Sequence, residues 1–318
     1  MRSFSNDRSC TESLHAISWT SIVRRVPSPR SVVTLLLLAI LLMSCGTLGG
    51  SPGSTGTLPS QNTRGGNTAL VHIAGSTALL PLAAKAANLF HQHYPDVQVE
   101  AQGGGSVIGL RAVVNHQADI GDSDIYADPV LYPDPNLTDH IVCVGAFTLI
   151  VDPQVGITSL TTQQIIAIFT GKITNWKEVG GPDLHIKLVI RPNTSGTRIL
   201  FRKYVLGGLE ESGPTLTSDS STTVLHVVAH TPGAIGYVTT TLVNPTVKAI
   251  GIDGVSATEH NIQSGKYKFW GFEHMYTLDN GIDATTAFLD FMQSAQIQRL
   301  AQKLGYIPVT AIQTAQQR

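Results

Sequence analysis

Residues 69–116 read ALVHIAGSTALLPLAAKAANLFHQHYPDVQVEAQGGGSVIGLRAVVNH. Ala69 to Ala74 is a short apolar run suited to a buried strand, and it breaks at Gly75-Ser76-Thr77. From Pro81 to His93 the period changes: Leu82, Ala86, Leu89 and Phe90 fall on one face at helical spacing, with Pro81 suited to a first helical turn. Val97, Val99 and Ala101 then alternate as a second strand, and Gly103-Gly104-Gly105-Ser106 leads into a helix expected from Val107 to His116. Strand, small-residue turn and helix, repeated, is the signature of an α/β fold with largely parallel sheets.

The pattern continues outward toward the C-terminus. Ile141 to Val151 is nearly unbroken apolar sequence, as expected of a strand buried on both faces or crossing between lobes. Further helices are predicted over Leu160–Phe169, capped by Thr161 or Thr162, and over Thr197–Tyr204. Strands are predicted over His185–Ile190, Ala234–Val238, Lys248–Ile252 and Lys268–Phe272. One long amphipathic helix is expected from Thr285 to Leu304, closed by Gly305 with Pro308 just beyond. The sequence shows no self-similarity at the periods that build solenoids or propellers.

With 42% hydrophobic and 14% charged residues in 318, the chain can bury a core and is too weakly charged for a disordered protein. A net charge of -1 provides no field to draw in nucleic acid, so any anion must be held by a local site. Cys10, Cys45 and Cys143 are too few and too scattered for a disulfide framework or a zinc knuckle. Cys143, inside an apolar strand, reads as a small buried hydrophobe. Arg24, Arg25 and Arg30 precede an apolar run from Val32 to Met43 that is too short to span a bilayer, which is a secretory signal pattern. That run ends in Leu42-Met43-Ser44-Cys45-Gly46, which resembles a bacterial lipobox and implies a signal peptide over 1–45 with Cys45 lipidated. Residues 46–67, almost wholly small and polar, then form a flexible tether holding the folded part on the outer side of the cell membrane.

Three strand-to-helix turns carry glycine and hydroxyl residues: Gly75-Ser76-Thr77, Gly103-Gly104-Gly105-Ser106 and Thr194-Ser195-Gly196-Thr197. A helix N-terminus presents unpaired N–H groups and partial positive charge, so such turns can hold an oxyanion. One alone is ordinarily a cap, but three together point to a cage. The glycine run is not a dinucleotide fingerprint, because Ile108 stands where the third glycine belongs, and no Walker lysine follows. Ile108 also breaks the serine-hydrolase elbow around Ser106. His226 and His230 share a helical face but have no intervening glutamate and no evident third ligand, so they read as packing or solvated residues. His91 and His93 face different sides of their helix, and Trp176, after Gly171-Lys172, reads as structural. Neither a metal nor a cofactor is expected.

A set of segments occurs in order: Gly75-Ser76-Thr77 with Pro81, Gln102 through Ser106, Asp119 through Asp124, Ile168 through Trp176, Arg191 through Arg198, and Gly233 through Tyr237. Together they resemble the PstS family of phosphate ABC-transporter substrate-binding proteins, from about Val71 to Pro308. The resemblance implies a type II periplasmic-binding-protein fold with two α/β lobes, each a mixed, mostly parallel sheet flanked by helices, joined by crossover strands. Lobe 1 would comprise 68–147 and 268–318, lobe 2 148–267, with phosphate in the cleft. Matched residue by residue, Thr77 and the backbone of Ala78 form the first phosphate turn, and Ser106 belongs to the second. Asp124 accepts a hydrogen bond from the phosphate proton, and Arg191 binds phosphate beside Ser195, Gly196 and Thr197. Ala78 stands where some members have an aromatic residue, and Asn193 where some have an aspartate paired to the arginine. The resemblance further implies a non-enzymatic, monomeric receptor serving an ABC permease and ATPase. The rival readings are a receptor for sulfate, arsenate, molybdate or tungstate, a secreted phosphatase-like hydrolase using Ser106 or Ser195, and a surface sensor or adhesin.

Overall fold

Ala69–Gly75 forms strand β1 in the computed structural model, which describes residues 69–213, 215–278 and 283–316. The signal segment, the tether, Cys10 and Cys45 lie outside the described residues. Helix α1 (Leu80–His93) follows with Pro81 in its first turn, and it buries Leu82, Ala83, Ala86, Ala87 and Phe90. Complete burial of a side chain such as Phe90 contributes about 1.5 to 3 kcal/mol. Next come β2 (Val97–Gly103), α2 (Ser106–Val114), the short β3 (Ile120–Ser123) and the long β4 (Leu137–Val151). Every residue of β4 from Val142 to Val151 is buried.

The second half of the chain adds β5 (Ser159–Leu160), α3 (Thr162–Phe169), β6 (Lys187–Ile190), α4 (Gly196–Tyr204), β7 (Thr215–Thr217), α5 (Ser221–His230), β8 (Ala234–Thr239) and β9 (Lys248–Ile252). It closes with α6 (Glu259–Gln263), β10 (Trp270–Leu278), α7 (Asp283–Gln293), α8 (Ala295–Leu304) and α9 (Val309–Gln316). The main strand order is β2-β1-β3-β10-β4-β8-β6-β7, with β9 pairing β4 and β5. β1 is parallel to β2 and β3, and β6 is parallel to β7 and β8. By contrast β10 runs antiparallel to β3 and β4, and β4 antiparallel to β8 and β9. β4 pairs with β10 through residues 137–146 and with β8 through residues 147–151.

The largest apolar clusters are two. One gathers Val71, Ile73, Phe90, Ile120, Val142 and Phe288, and the other Phe147, Ile165, Phe169, Phe201, Tyr237 and Phe269. Trp176 belongs to the second core, fully buried, its indole N–H donating to the Gly233 carbonyl at 2.9 Å. Cys143 is a free buried thiol. His230 donates to the His226 carbonyl at 2.8 Å, a local helix contact.

Two expectations need correction. The helix predicted over 285–304 is two helices, because Ser294 adopts extended backbone and its hydroxyl accepts from the Ile297 N–H at 3.4 Å, starting α8 afresh. The strand placed at 268–272 runs from Trp270 to Leu278 instead. Glu273 and His274 interrupt its apolar pattern yet are completely buried, so polarity disguised an interior strand.

Candidate functional site

The turn after β1 divides its labour between two adjacent hydroxyls. Ser76 donates to Asp124 Oδ1 while its oxygen accepts the N–H groups of Ala78 at 3.0 Å and Leu79 at 3.1 Å, which closes the turn into α1. Thr77 Oγ1 accepts from Arg191 Nη2 at 3.1 Å and from the Ser221 N–H at 3.2 Å, and it lies 3.0 Å from Ser221 Oγ. With both Thr77 lone pairs used, its own proton is free to reach Ser221. Ser221 also accepts from Arg191 Nη1 at 3.0 Å, so its own proton remains to be given elsewhere.

The second turn enters α2 at Gly105, where φ is +96°, a conformation that favours glycine. A Cβ there would also lie 2.6 Å from the Thr194 carbonyl oxygen. That carbonyl instead accepts the Val107 N–H at 3.1 Å, joining α2 to the loop before α4. Ser106, fully buried, accepts from the Asp124 N–H at 2.9 Å. Asp124 Oδ2 accepts from Thr197 at 2.7 Å. Ser195 caps α4 by accepting from the Arg198 N–H at 3.3 Å, and Gly196 packs so closely that a Cβ would strike the Ser106 hydroxyl.

Arg191 is 1% exposed. Its Nε donates to the Ser218 carbonyl at 3.1 Å and Nη2 to the Asp219 carbonyl at 3.0 Å. These carbonyls fix the guanidinium plane, whereas Asn193 is exposed and takes no part in that orientation. Burial lowers the Arg191 pKa from its ordinary value, with the charge of Asp124 opposing that shift. The other hydroxyl-proton and carboxyl groups behind the turns are Asp122 and Glu273, both buried and both held well above the usual carboxylate range by desolvation and by the neighbouring Asp124 charge.

All the residues picked out from sequence therefore gather in one place: Thr77, Ala78, Ser106, Asp124, Arg191, Ser195, Gly196 and Thr197. Sequence reasoning missed Ser76 as a direct partner of Asp124, and it missed Ser221 together with the Ser218 and Asp219 carbonyls. A signal for the latter existed: Ser218-Asp219-Ser220-Ser221-Thr222 is another hydroxyl-rich turn between a strand and a helix, capped by Ser220. A pocket of about 960 Å³ borders Asp124 and is lined by Tyr126, Tyr204, Trp270 and Phe272 together with Arg111, Lys203 and Lys268.

Residues 62–296 match the PBP superfamily domain. The chain is 39% identical over 287 residues to the phosphate-binding protein PstS of Bacillus subtilis, covering 88% of this chain and 94% of that one. The fold resembles a Clostridium perfringens structure, assigned as a phosphate ABC transporter substrate-binding protein with bound phosphate, at a TM-score of 0.72 and 30% identity over 76% of this chain and 99% of that one. It also resembles an ABC-type phosphate transport receptor from Vibrio cholerae, at a TM-score of 0.61 and 28% identity over 74% and 99% of the two chains.

Proposed function

The chain belongs to the PstS family of phosphate-binding proteins within the PBP superfamily, and on that premise we propose that it captures inorganic phosphate between its lobes for an ABC importer. The observation that carries the reading is the pairing across adjacent residues: Ser76 holds the Asp124 carboxylate and Thr77 the Arg191 guanidinium, so anion and cation flank a single turn. A tetrahedral anion entering that turn would displace the Thr77 and Ser221 hydroxyls from Arg191 and take Nη1 and Nη2 on two oxygens, with each charge-assisted bond worth about 1.5 to 3 kcal/mol. The hydroxyls of Thr77 and Ser221 can rotate to donate to the remaining oxygens. Asp124 then accepts the hydrogen bond of the ligand's own proton.

That last contact supplies selectivity. Phosphate near neutral pH keeps at least one proton, whereas sulfate has none and would set its lone pairs against the Asp124 carboxylate. Rejection of the wrong ligand by an unmatched buried acceptor costs about 1 to 3 kcal/mol, and more when the acceptor is charged. In this reading lobe 1 spans 68–147 with 268–318 and lobe 2 spans 148–267. Thr77, Ser106 and Asp124 then come from the first lobe and Arg191 through Thr197 from the second, so the ligand favours closure because only the closed form offers it both sets.

The chemistry is binding without turnover. Ser106 and Ser195 receive backbone N–H groups from Asp124 and Arg198, which fits hydrogen-bonding roles for both hydroxyls. Lipidation at Cys45, delivery to a permease and ATPase, a monomeric state and attachment to the outer side of the cell membrane complete the proposal. Calorimetric titration of the purified protein with phosphate, with sulfate as competitor, tests it: saturable phosphate binding that sulfate does not displace is expected, and absence of phosphate binding refutes it.

A further inference from the structure

Glu273 is fully buried on β10 and its two carboxyl oxygens have no hydrogen-bond partner among the described residues. The register between β10 and β4 slips between Glu273 and His274, so two consecutive side chains are both buried. Such a bulge re-aims a side chain that regular pleating would send to the opposite face. Glu273 lays its carboxyl against β4, where a Cβ on Gly145 would strike Oε1.

The groups around it supply no positive charge. Asp122 on β3, Asp124 just beyond it, Cys143 on β4 and Tyr306 after α8 all interact with Glu273 electrostatically. Tyr306 spends its hydroxyl proton on the Ala78 carbonyl at 2.5 Å, and the neighbouring His274 turns its Nδ1 to Asp139 at 2.8 Å while its Nε2 is buried without a partner among the described residues. Arg191 is committed to Thr77, Ser221 and two carbonyls. A carboxylate left alone in such surroundings takes up a proton. β10 pairs antiparallel with β3, His274 opposite Ser123 and Met275 opposite Asp122, so the next step of that register sets Glu273 beside Asp124. Two ionised carboxylates have no donor to share, whereas one proton on Glu273 both satisfies the orphan and leaves Asp124 as the charged partner.

We propose that Glu273 is a positioning residue that donates its proton to the Asp124 carboxylate and so sets the charge state in which the site accepts its anion. The inference rests on the phosphate-receptor reading above. Asp124 would then receive donors from Ser76, Thr197 and Glu273, within the four lone-pair positions of a carboxylate. Those three donors leave one lone-pair position to accept the hydrogen bond of phosphate's own proton. Were Glu273 and Asp122 also ionised, the cluster would carry more negative charge than Arg191 offsets and would repel the ligand. Affinity therefore falls as rising pH strips Glu273.

Two readouts on the full chain test this. In infrared difference spectra of the ligand-free protein near neutral pH, Glu273→Gln should remove a carbonyl stretch characteristic of a protonated carboxyl. In calorimetric titrations with inorganic phosphate at increasing pH, the wild-type affinity should fall more steeply than that of Glu273→Gln, since the amide keeps a donor and does not titrate. Phosphate's own ionisation cancels in the comparison. Identical carboxyl bands in the two proteins, or a steeper fall in the variant than in the wild type, overturn the proposal. Should the variant fail to fold, 13C labelling of wild-type glutamate decides instead, because the band must shift if a glutamate carries the proton and stays put if it belongs to Asp122. If the wild type binds no phosphate at any pH, the receptor reading fails separately, and the infrared band still decides who holds the proton.

Discussion

Replacing Gly196 with alanine separates ligand capture from folding. Gly196 opens α4, and a Cβ there would approach the Asp124 and Ser106 Cβ atoms at 2.9 Å each, besides striking the Ser106 hydroxyl. Carbon atoms pack comfortably at about 3.5 to 4.0 Å, so the two sides must separate by roughly an ångström at that point. Overpacking of this kind costs about 1 to 3 kcal/mol. In the two-lobed reading the contact lies across the cleft, so the cost falls on closure and appears as phosphate affinity weakened by about 5- to 150-fold. Within the lobe the substitution is neutral to favourable, since alanine exceeds glycine in helix propensity, at this first helical position by less than the about 1 kcal/mol of a helix interior. Calorimetry with phosphate and thermal unfolding without it should thus move apart: affinity falls while the ligand-free Tm holds or rises. Wild-type affinity in Gly196→Ala, or an affinity loss matched by a fall in ligand-free Tm, would refute the reasoning.

Asp124→Asn should narrow the preference for phosphate over sulfate by about a hundredfold, measured by competition titration, because a neutral amide no longer repels the unprotonated ion. An unchanged ratio would remove Asp124 from the selection mechanism. Arg191→Ala should weaken both anions by about 10²- to 10⁴-fold, from two lost charge-assisted bonds, while Arg191→Lys restores only part because its point charge lacks the planar fork. Full recovery by lysine would show that charge alone matters. Stability should also follow pH through Asp122. Burial and the Asp124 charge raise its folded-state pKa, so the native chain retains a proton that the unfolded chain has lost. Its contribution is complete below the unfolded carboxylate range and disappears as pH rises through the folded value, by up to about 1.4 kcal/mol per pH unit. Urea midpoints measured from about pH 4 to about pH 8 should show a shallower decline for Asp122→Asn than for wild type. Equal slopes would mean that Asp122 is ionised in the folded chain.

The sequence alone determined what short-range chemistry can write. Periods of two and near four residues mark β1, α1 and β2, proline marks the first turn of α1, and the hydroxyl turns mark helix starts because capping is a contact between near neighbours. The ordered motifs were specific enough to assign the family and to nominate Asp124 and Arg191. Where the pattern was misleading, the reason was local too: a serine able to cap split the helix at Ser294, and a polar pair concealed the middle of β10.

Only the tertiary structure decided which groups share a proton or a charge. The Ser218 and Asp219 carbonyls orient Arg191 across 27 and 28 residues of chain, a task that nothing in the composition of those backbone groups announces. Ser76 meets Asp124 across 48 residues and Thr77 meets Ser221 across 144, because β1 lies beside β3 and the loop before α5 folds onto the first turn. Glu273 gains its significance from burial and from a register slip, both properties of the packed sheet. Hydrogen-bond geometry and desolvation depend on position in space, and those positions exist only once β4 and β10 have brought distant segments together.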